Sequence, residues 1–291
     1  MVCKFHHALT DGVGGVQIAM TLFDLSELPQ EHPTLPLEPR SVGRTLALSG
    51  YREAARYEAG LVGSMLAAAA RAAPALMLNG VRRPVETFGS ATATAASVYR
   101  TVRPVNRPGS PMMVQRNLIR RVGVHQVPMP KLREAAHRCG GALNDAFLAG
   151  VTGGLRRYHD KHGVAVGDLH VTMPISLRTE TDEMGGNRIT LMIAGALNLM
   201  PRWYIGSILR HVDFVASDVP GIPVPVYLGG VAVRMQYAFG PTIGSAVNVT
   251  LLTYVDTCAL GIDVDTGAVP DYEVFHECLV AGFDEVLALA A

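Results

Sequence analysis

The sequence predicts an α/β fold with mixed sheets, because strand-like segments and segments of helical spacing alternate along the chain. The segments that read as strands are residues 114–122, 169–175, 188–199, 247–254 and 258–264. The segments that read as helices are residues 14–25, 40–77, 129–139, the stretch after Asn144 and the stretch that Pro270 opens.

The apolar spacing of the helices predicts which side chains enter the core. Asn144 is expected to cap one helix, and Gly140 and Gly141 to end the helix before it. In the helix after Asn144 the core stripe is predicted to be Phe147, Val151, Leu155 and Tyr158. In the last helix it is predicted to be Val274, Phe275, Cys278, Leu279, Phe283, Val286 and Leu287.

Two connections organise the chain. Residues 255–257 lie between the last two predicted strands, which predicts a hairpin there. Residues 84–111 form a long connection of little periodicity, which is unusual inside one compact unit. We therefore predict a crossing between subdomains in this region, with domains at 1–95 and 96–291.

Composition limits the class of protein. With 291 residues, 49% of them hydrophobic, the chain can bury a sizeable core in one large or two modest domains. Its most apolar stretch, residues 61–78, is interrupted by Arg71 and Pro74, so we expect a core or membrane-surface helix rather than a membrane span. No signal peptide is recognised. The spacing of the cysteines suggests neither a zinc site nor a disulfide framework, which favours reduced thiols in a cytoplasmic protein.

Charge is balanced overall but unevenly distributed. Residues 40–138 carry sixteen Lys and Arg against four acids, whereas residues 235–291 carry eight acids and no Lys or Arg. The basic middle suits the phosphates of a cofactor, an anionic membrane surface, or a solvated surface whose charges pair in the fold. Aromatic residues make up only 6% and no recognition motif is present, which argues against nucleic-acid binding.

Two adjacent histidines, followed by Asp11 and Gly12, are compatible with three kinds of site. A metal site is disfavoured, because His6 and His7 would point to opposite sides of an extended segment. A buried structural histidine beside a turn is the second interpretation. The third is general-base catalysis, in which a neutral imidazole takes a proton from a hydroxyl that attacks a thioester. Asp11 would then fix the loop, and Gly12 would let it turn closely beneath the site.

The run His6-His7-Ala8-Leu9-Thr10-Asp11-Gly12 resembles the HHxxxDG active-site motif of the condensation-domain and CoA-dependent acyltransferase superfamily. The helix that follows resembles the wax ester synthase/diacylglycerol acyltransferase branch. Later segments resemble signatures of that branch, in the same order along nearly the whole chain: residues 106–108, 144–149, 155–158, 173–178, 186–188, 217–221, 227–230 and 248–250.

This resemblance implies a chloramphenicol-acetyltransferase-like fold, with two similar α/β subdomains and the site between them. The implied reaction transfers a fatty acyl group from acyl-CoA to diacylglycerol or a long-chain alcohol, which makes triacylglycerol or wax ester. Acyl-CoA is a co-substrate, and no metal or prosthetic group is implied. Because the substrates are apolar, we expect a cytoplasmic protein at the inner membrane face or the surface of lipid droplets.

The resemblance also implies roles for particular residues. His7 corresponds to the general base, and Asp11 to the residue that holds the catalytic loop in place. His6 and Gly12 complete the motif. Polar contacts to the substrates or the catalytic region would come from three asparagines: Asn144, Asn187 and Asn248.

The chain departs from the family pattern in three respects. The motif begins at residue 6, which suggests that the first subdomain is incomplete. Only residues 200–216 fill the place of a long helical segment, with a remnant helix predicted at 203–214. Asp218 stands where the family has asparagine, and burial without a partner would raise its pKa. Two alternatives therefore stay open: a non-catalytic lipid-binding remnant and a carrier-protein-dependent condensation domain.

Overall fold

A computed structural model describes residues 1–4, 12–28, 107–176, 189–190, 211–240 and 244–290. All of these residues belong to one compact unit, which spans 1–30, 105–191 and 202–291. The predicted domain boundary near residue 95 and the predicted helix over 40–77 lie outside the described residues, and both stay predictions.

The described residues form helices and strands in alternation, as the sequence predicts. The helices are α1 (Gly12–Met20), α2 (Met129–Arg138), α3 (Leu143–Lys161) and α4 (Tyr272–Ala288). The strands are β1 (Arg120–Pro128), β2 (Val171–Thr172), β3 (Ile175–Ser176), β4 (Ile189–Thr190), β5 (Phe214–Ile222), β6 (Tyr227–Leu228), β7 (Val231–Ala232), β8 (Val247–Tyr254) and β9 (Thr257–Asp265).

One mixed sheet organises this unit, with strand order β1-β9-β8-β5-β2. Strands β1, β9 and β8 are antiparallel neighbours, whereas β8, β5 and β2 run parallel. Strands β8 and β9 form the predicted hairpin, and Val255 in its turn adopts a left-handed φ of 52°. Two further antiparallel pairs, β3–β4 and β6–β7, lie outside the sheet. The mixed sheet agrees with the predicted fold class.

Helices α3 and α4 cover one face of the sheet, which we call the helix face and which carries Val247, Val249, Leu260 and Ile262. These residues share one buried apolar cluster with the predicted stripes of both helices. The side chains of the α3 stripe are all completely buried: Phe147, Val151, Leu155 and Tyr158. The predicted stripes are therefore confirmed, and burial of this apolar area is the main driving force for the packing.

Glycines bring α3 and α4 close together. A Cβ atom at Gly282 would lie 2.4 Å from the backbone nitrogen of Gly154 and 2.5 Å from the carbonyl oxygen of Gly150. No side chain can occupy that space, so the two helix backbones approach directly. Beside this contact the rings of Phe147 and Phe283 stack, with their centroids 6.4 Å apart.

The strand predicted at 114–122 is wrong in its bounds, because β1 begins only at Arg120. Leu118 adopts a left-handed φ of 63°, which is incompatible with a strand. The backbone amides of Asn117 and Leu118 donate to the carboxylate of Asp265, at 3.1 and 2.9 Å, rather than to a neighbouring strand. The Asp265 side chain, which is distant in sequence, thus overrides the β propensity of the segment before Arg120.

The prediction that Asn144 caps α3 is also wrong. The helix begins at Leu143, and Asp145 provides the capping interaction: its Oδ2 accepts the N–H of Ala142 at 2.8 Å. Asn144 lies exposed in the first turn. The placement of a carboxylate there also suits the positive end of the helix dipole.

The region after α3 differs from the sequence prediction in two ways. The strand predicted at 169–175 is reduced to the short β2 and β3, and only Ile189–Thr190 of the strand predicted at 188–199 falls among the described residues. The helix predicted at 203–214 is wrong at its end, where Phe214 begins β5. Residues 203–210 lie outside the described part of the chain.

Candidate active site

The face of the sheet opposite the helix face, which we call the motif face, carries Ser217, Val219, Asn248 and Thr250. In the register of β5 and β8, Ser217 lies beside Thr250, and Val219 beside Leu252. Because side chains alternate along a strand, these residues point away from Val247 and Val249 of the helix face. Three polar side chains are therefore grouped on two strands that are otherwise mainly apolar.

Helix α1 packs on the motif face through Gly12, the last residue of the HHxxxDG motif. A Cβ atom at Gly12 would lie 2.8 Å from Cγ2 and 3.7 Å from Cβ of Val219. Further along α1, Val16 and Met20 pack against a small buried cluster of Ile222, Val226 and Tyr254. The helix that follows the histidine motif is thus seated directly on β5.

The segment after α1 is anchored by the β6–β7 pair. Asp24 and Tyr227 exchange backbone hydrogen bonds of 2.9 and 2.8 Å, which joins the end of the α1 segment to β6. The hydroxyl of Tyr254 accepts from the N–H of Val226 at 3.2 Å and donates to the carbonyl of Val233 at 2.8 Å. These contacts join the segment after α1 to the β6–β7 pair and to β8.

A β-bulge interrupts β5 beside the α1 contact. Val219 pairs with Leu252, but the next pair is Ile222 with Tyr254, so β5 has one extra residue there. The bulge holds Pro220, which cannot donate a ladder hydrogen bond, and Gly221, whose N–H donates to Thr253 Oγ1 at 3.0 Å. A Cβ atom at Gly221 would lie 1.6 Å from the carbonyl oxygen of Thr253, so only glycine fits.

Asn248 lies beneath the segment that leads from β7 to β8. Its side chain accepts the hydroxyl of Thr250 at 3.1 Å and is 1% exposed. A Cβ atom at Gly240 would lie 2.9 Å from its Nδ2, and one at Gly261 would lie 1.9 Å from the carbonyl oxygen of Ala238. The 238–240 segment therefore crosses the motif face in close contact with the sheet.

The predicted site residues fall in three places. Gly12 and Asn248 lie on the motif face, whereas Asn144 lies on α3, which covers the helix face. The residues outside the described part of the chain are His6, His7, Asp11 and Asn187. Their predicted roles stay predictions.

Asp218, the acid at the family's asparagine position, pairs with Leu251 and so belongs to the helix face. Burial raises the pKa of its carboxyl group, as the sequence predicts for this substitution. Burial and the nearby charge of Asp218 together raise the pKa of the Cys258 thiol to about 12. Neither group belongs to the polar row of the motif face.

Two buried carboxylates fix residues 107–118 at one end of the sheet. Asp213 accepts backbone N–H groups from Gly109, Ser110 and His170, at 2.9, 2.9 and 2.7 Å. Burial acts to raise the pKa of Asp265, but the backbone donors around it, with Arg120, outweigh burial and lower it. The sequence did not predict either anchor, because the groups they bind lie far away along the chain.

Ser110 and His159 form a hydrogen bond of 2.7 Å, which has the composition of a nucleophile–base pair. Both residues are completely buried, and the second ring nitrogen of His159 lies 2.7 Å from the carbonyl oxygen of Leu155. The Ser110 hydroxyl also accepts the backbone N–H of Met113 at 3.1 Å, so it is held on both sides. We therefore interpret the pair as a structural contact that seats the 107–113 segment on α3.

Among the described residues, no group of three His, Cys, Asp or Glu side chains is arranged to hold a metal ion. The described helices include none that is both long and apolar enough to cross a bilayer. All four cysteines are described, and each is free; Cys258 and Cys278 are buried.

Comparison with known proteins identifies the family. The model of the wax ester synthase/diacylglycerol acyltransferase catalytic domain matches residues 1–147, and that of the WS/DGAT C-terminal domain matches 179–286. A predicted diacylglycerol O-acyltransferase of Mycobacterium tuberculosis H37Rv is 31% identical over 335 residues, which cover 100% of this chain and 66% of the relative. A second one from the same strain is 24% identical, covering 93% of this chain and 61% of that relative.

Among solved structures, the wax ester synthase/diacylglycerol acyltransferase of Marinobacter aquaeolei VT8 aligns with a TM-score of 0.55 at 17% identity. The alignment covers 96% of this chain and 66% of that one, so the chain spans just under two thirds of these proteins. The likeness confirms the predicted α/β, chloramphenicol-acetyltransferase-like fold class. With matches to both family domains along most of its length, the chain belongs to the wax ester synthase/diacylglycerol acyltransferase family.

Proposed function

We propose that this protein transfers a fatty acyl group from acyl-CoA to the hydroxyl of diacylglycerol or a long-chain alcohol, with His7 as the general base. The observation that carries the proposal is the contact of Gly12 with Val219. It seats the helix that follows the histidine motif on the strand that carries residues 217–221. Two family segments that are far apart in sequence thus meet on one face of the sheet, beside a row of polar side chains.

The proposed reaction needs only proton transfer and acyl transfer. His7 takes the proton of the acceptor hydroxyl as its oxygen attacks the thioester carbonyl carbon. The tetrahedral intermediate collapses by breaking the carbon–sulfur bond, and the imidazolium of His7 returns the proton to the departing CoA thiolate. The products are an ester and free CoA. No covalent acyl-enzyme, metal or prosthetic group takes part.

The other predicted residues have supporting roles in this proposal. Asp11 holds the loop that carries His6 and His7, and Asn187 contributes a polar contact near the thioester. Asn248 acts by positioning, because its amide is buried between Thr250 and the 238–240 segment. The acceptor reaches the protein from a membrane or lipid-droplet surface, where apolar alcohols and diacylglycerol accumulate.

The test is acyl transfer by the purified chain, with radiolabelled acyl-CoA and either diacylglycerol or a long-chain alcohol. His7→Ala is expected to lower the rate about 100-fold to 10,000-fold, the usual contribution of a general base. His137→Ala, at an exposed position on α2, is the matched control and should retain the wild-type rate.

Two results would contradict the proposal. One is equal product formation by wild type and His7→Ala, which would leave the histidine without a role. The other is wild-type product formation no higher than that of heat-inactivated protein, which would favour a non-catalytic lipid-binding role. Carrier-bound acyl thioesters, supplied in place of acyl-CoA, distinguish the condensation-domain alternative.

A further inference from the structure

A cavity of about 740 Å³ lies at the end of the sheet where the buried carboxylates fix the 107–118 segment. Its size is in the range of small-molecule sites. Its lining combines basic side chains with rigid and apolar ones: Arg107, Pro108, Gly109, Ser110, Pro111, Val114, Arg116, Leu118 and His211. No acidic residue is among them.

Arg116 is a fixed positive charge in the wall of this cavity. Its guanidinium donates to the backbone carbonyls of Gly244 at 3.0 Å, Gln115 at 3.0 Å and Val212 at 3.4 Å, and also to Met113. These acceptors are neutral and hold the group in place. Burial lowers the pKa of Arg116, whereas the charges of Asp265 and Asp213 act to raise it, so these two carboxylates offset part of the positive charge that Arg116 presents to the cavity.

Arg107 and His211 are the donors of the cavity that have no partner among the described residues. Arg107 is exposed, and among the described residues no hydrogen bond or salt bridge occupies its guanidinium. Nδ1 of His211 is buried and has no hydrogen-bond partner in the described part of the structure. Arginine forks match phosphate oxygens in a bidentate manner, and a ring N–H can donate to a further oxygen.

We propose that this cavity binds the phosphate-bearing nucleotide end of a CoA thioester, with Arg107 facing the phosphates and Arg116 contributing positive charge from the cavity wall. This inference rests on the proposed function, since it names the residues that hold the acyl donor. The cavity chemistry fits a molecule of that kind. Cationic side chains suit the phosphates, while Val114, Leu118 and the two prolines offer apolar surface to the adenine ring or the pantetheine arm.

The same chemistry would also accept free phosphates, so the experiment separates the two sources. Binding to the full chain is measured by calorimetry for CoA, dephospho-CoA, pantetheine and inorganic pyrophosphate. The variant is Arg107→Glu, and Lys131→Glu on α2 is the control, because it reverses an exposed charge outside the cavity. Circular dichroism and thermal melting establish that both variants fold.

Arg107→Glu is expected to weaken CoA and pyrophosphate binding by about tenfold or more, because it replaces a charge-assisted contact with repulsion. Pantetheine, which has no phosphate, should bind the variant and wild type alike. Dephospho-CoA should bind wild type more weakly than CoA. Lys131→Glu should bind all four ligands as wild type does. If pyrophosphate responds to Arg107 but CoA does not bind, the cavity is a free-phosphate site and the inference is wrong.

Unchanged CoA affinity in Arg107→Glu, or an equal loss in Lys131→Glu, would also overturn the inference. A milder variant, Arg107→Gln, repeats the test if the charge reversal disturbs folding.

The acyl-transfer result is independent of these binding measurements. Transfer that depends on His7 without any effect of Arg107 on CoA binding would refute the cavity assignment alone. Loss of CoA and pyrophosphate binding in Arg107→Glu, in a chain that shows no transfer, would refute the proposed activity alone.

Discussion

The two faces of the central sheet are built in different ways. On the helix face, aliphatic residues of β8 and β9 meet the apolar stripes of α3 and α4, and the packing is close and regular. On the motif face, β8 carries Asn248 and Thr250, and β5 bulges at Pro220. The helix that packs there, α1, is short and rich in glycine, whereas α3 and α4 on the other face are long. We infer from this comparison that burial on the helix face contributes more to stability, whereas the polar and irregular features of the motif face lie beside the proposed site.

The test with the largest expected effect replaces one phenylalanine on each face of the sheet. Phe147 is completely buried in the helix face, whereas Phe239, on the segment that crosses the motif face, is 46% exposed. Phe147→Ala should lower the free energy of unfolding by about 3–5 kcal/mol, because it removes apolar contacts and leaves a cavity. Phe239→Ala should lower the free energy of unfolding clearly less. Urea titration of both variants and wild type measures these changes. Equal losses would show that the two faces do not differ in their contribution to stability.

A smaller effect is expected at the bulge of the motif face. Gly221→Ala places a methyl group against the carbonyl of Thr253, so β5 must shift, at a cost of about 1–3 kcal/mol. Because β5 supports α1, acyl transfer should fall by more than the loss of folded protein explains. The control is Gly167→Ala, since a Cβ at Gly167 has no atom within 4 Å. Wild-type stability and activity in Gly221→Ala would show that the bulge has no structural role.

Two of the predicted asparagines sharpen the comparison further. Asn248→Ala removes the buried acceptor of the Thr250 hydroxyl and should cost about 1–2 kcal/mol. Asn144→Ala, at an exposed position on α3, should change stability by less than about 0.5 kcal/mol. Thermal melts and steady-state kinetics of both variants separate positioning from folding. If only Asn144→Ala lowers kcat, the proposed supporting role belongs to the helix face instead.

The smallest effect concerns Asp218, the one acid that enters the helix face from β5. Burial raises the pKa of Asp218 above its ordinary value of 3.8, so the folded state binds its proton more tightly than the unfolded state. The resulting stabilisation is complete below 3.8 and is lost as the pH rises through the folded pKa.

Asp218→Asn should therefore be more stable than wild type at neutral pH, and the difference should shrink as the pH falls toward the ordinary pKa. Urea titrations over a series of pH values measure it. The same substitution at the exposed Asp160 of α3 controls for the loss of a surface charge. A difference that stays constant with pH would show that the Asp218 carboxyl is not the cause.

The features predictable from sequence lie mainly on the helix face. The stripe from Phe147 to Tyr158 and the hairpin of β8 and β9 follow from local spacing, and the structure confirms both. The candidate site was predicted only from its motif and from the resemblance that the motif carries. Gly12 and Asn248 lie on the same face of the sheet, but their spacing in the sequence does not predict that they share it.

The missed features depend on interactions between distant residues. Strand β5 was not predicted, because Asp218, Pro220 and Gly221 break the pattern of a buried strand. The loop before β1 was mistaken for a strand, because its conformation depends on Asp265, far along the chain. The capping interaction at the N-terminus of α3 was assigned to Asn144, but Asp145 makes it. Either side chain can cap the start of a helix, and the sequence does not choose between them.

The contact between α1 and β5 is the central claim, and a cross-link tests it most directly. Cβ at position 12 would lie 3.7 Å from Cβ of Val219, within the range of disulfides. Gly12→Cys with Val219→Cys is made in a chain whose exposed Cys3 and Cys139 are changed to serine. Mild oxidation should join positions 12 and 219 within one molecule, as peptide mass spectrometry would show. Two thiols that remain free to react with separate labels would contradict the placement of the motif helix on this face.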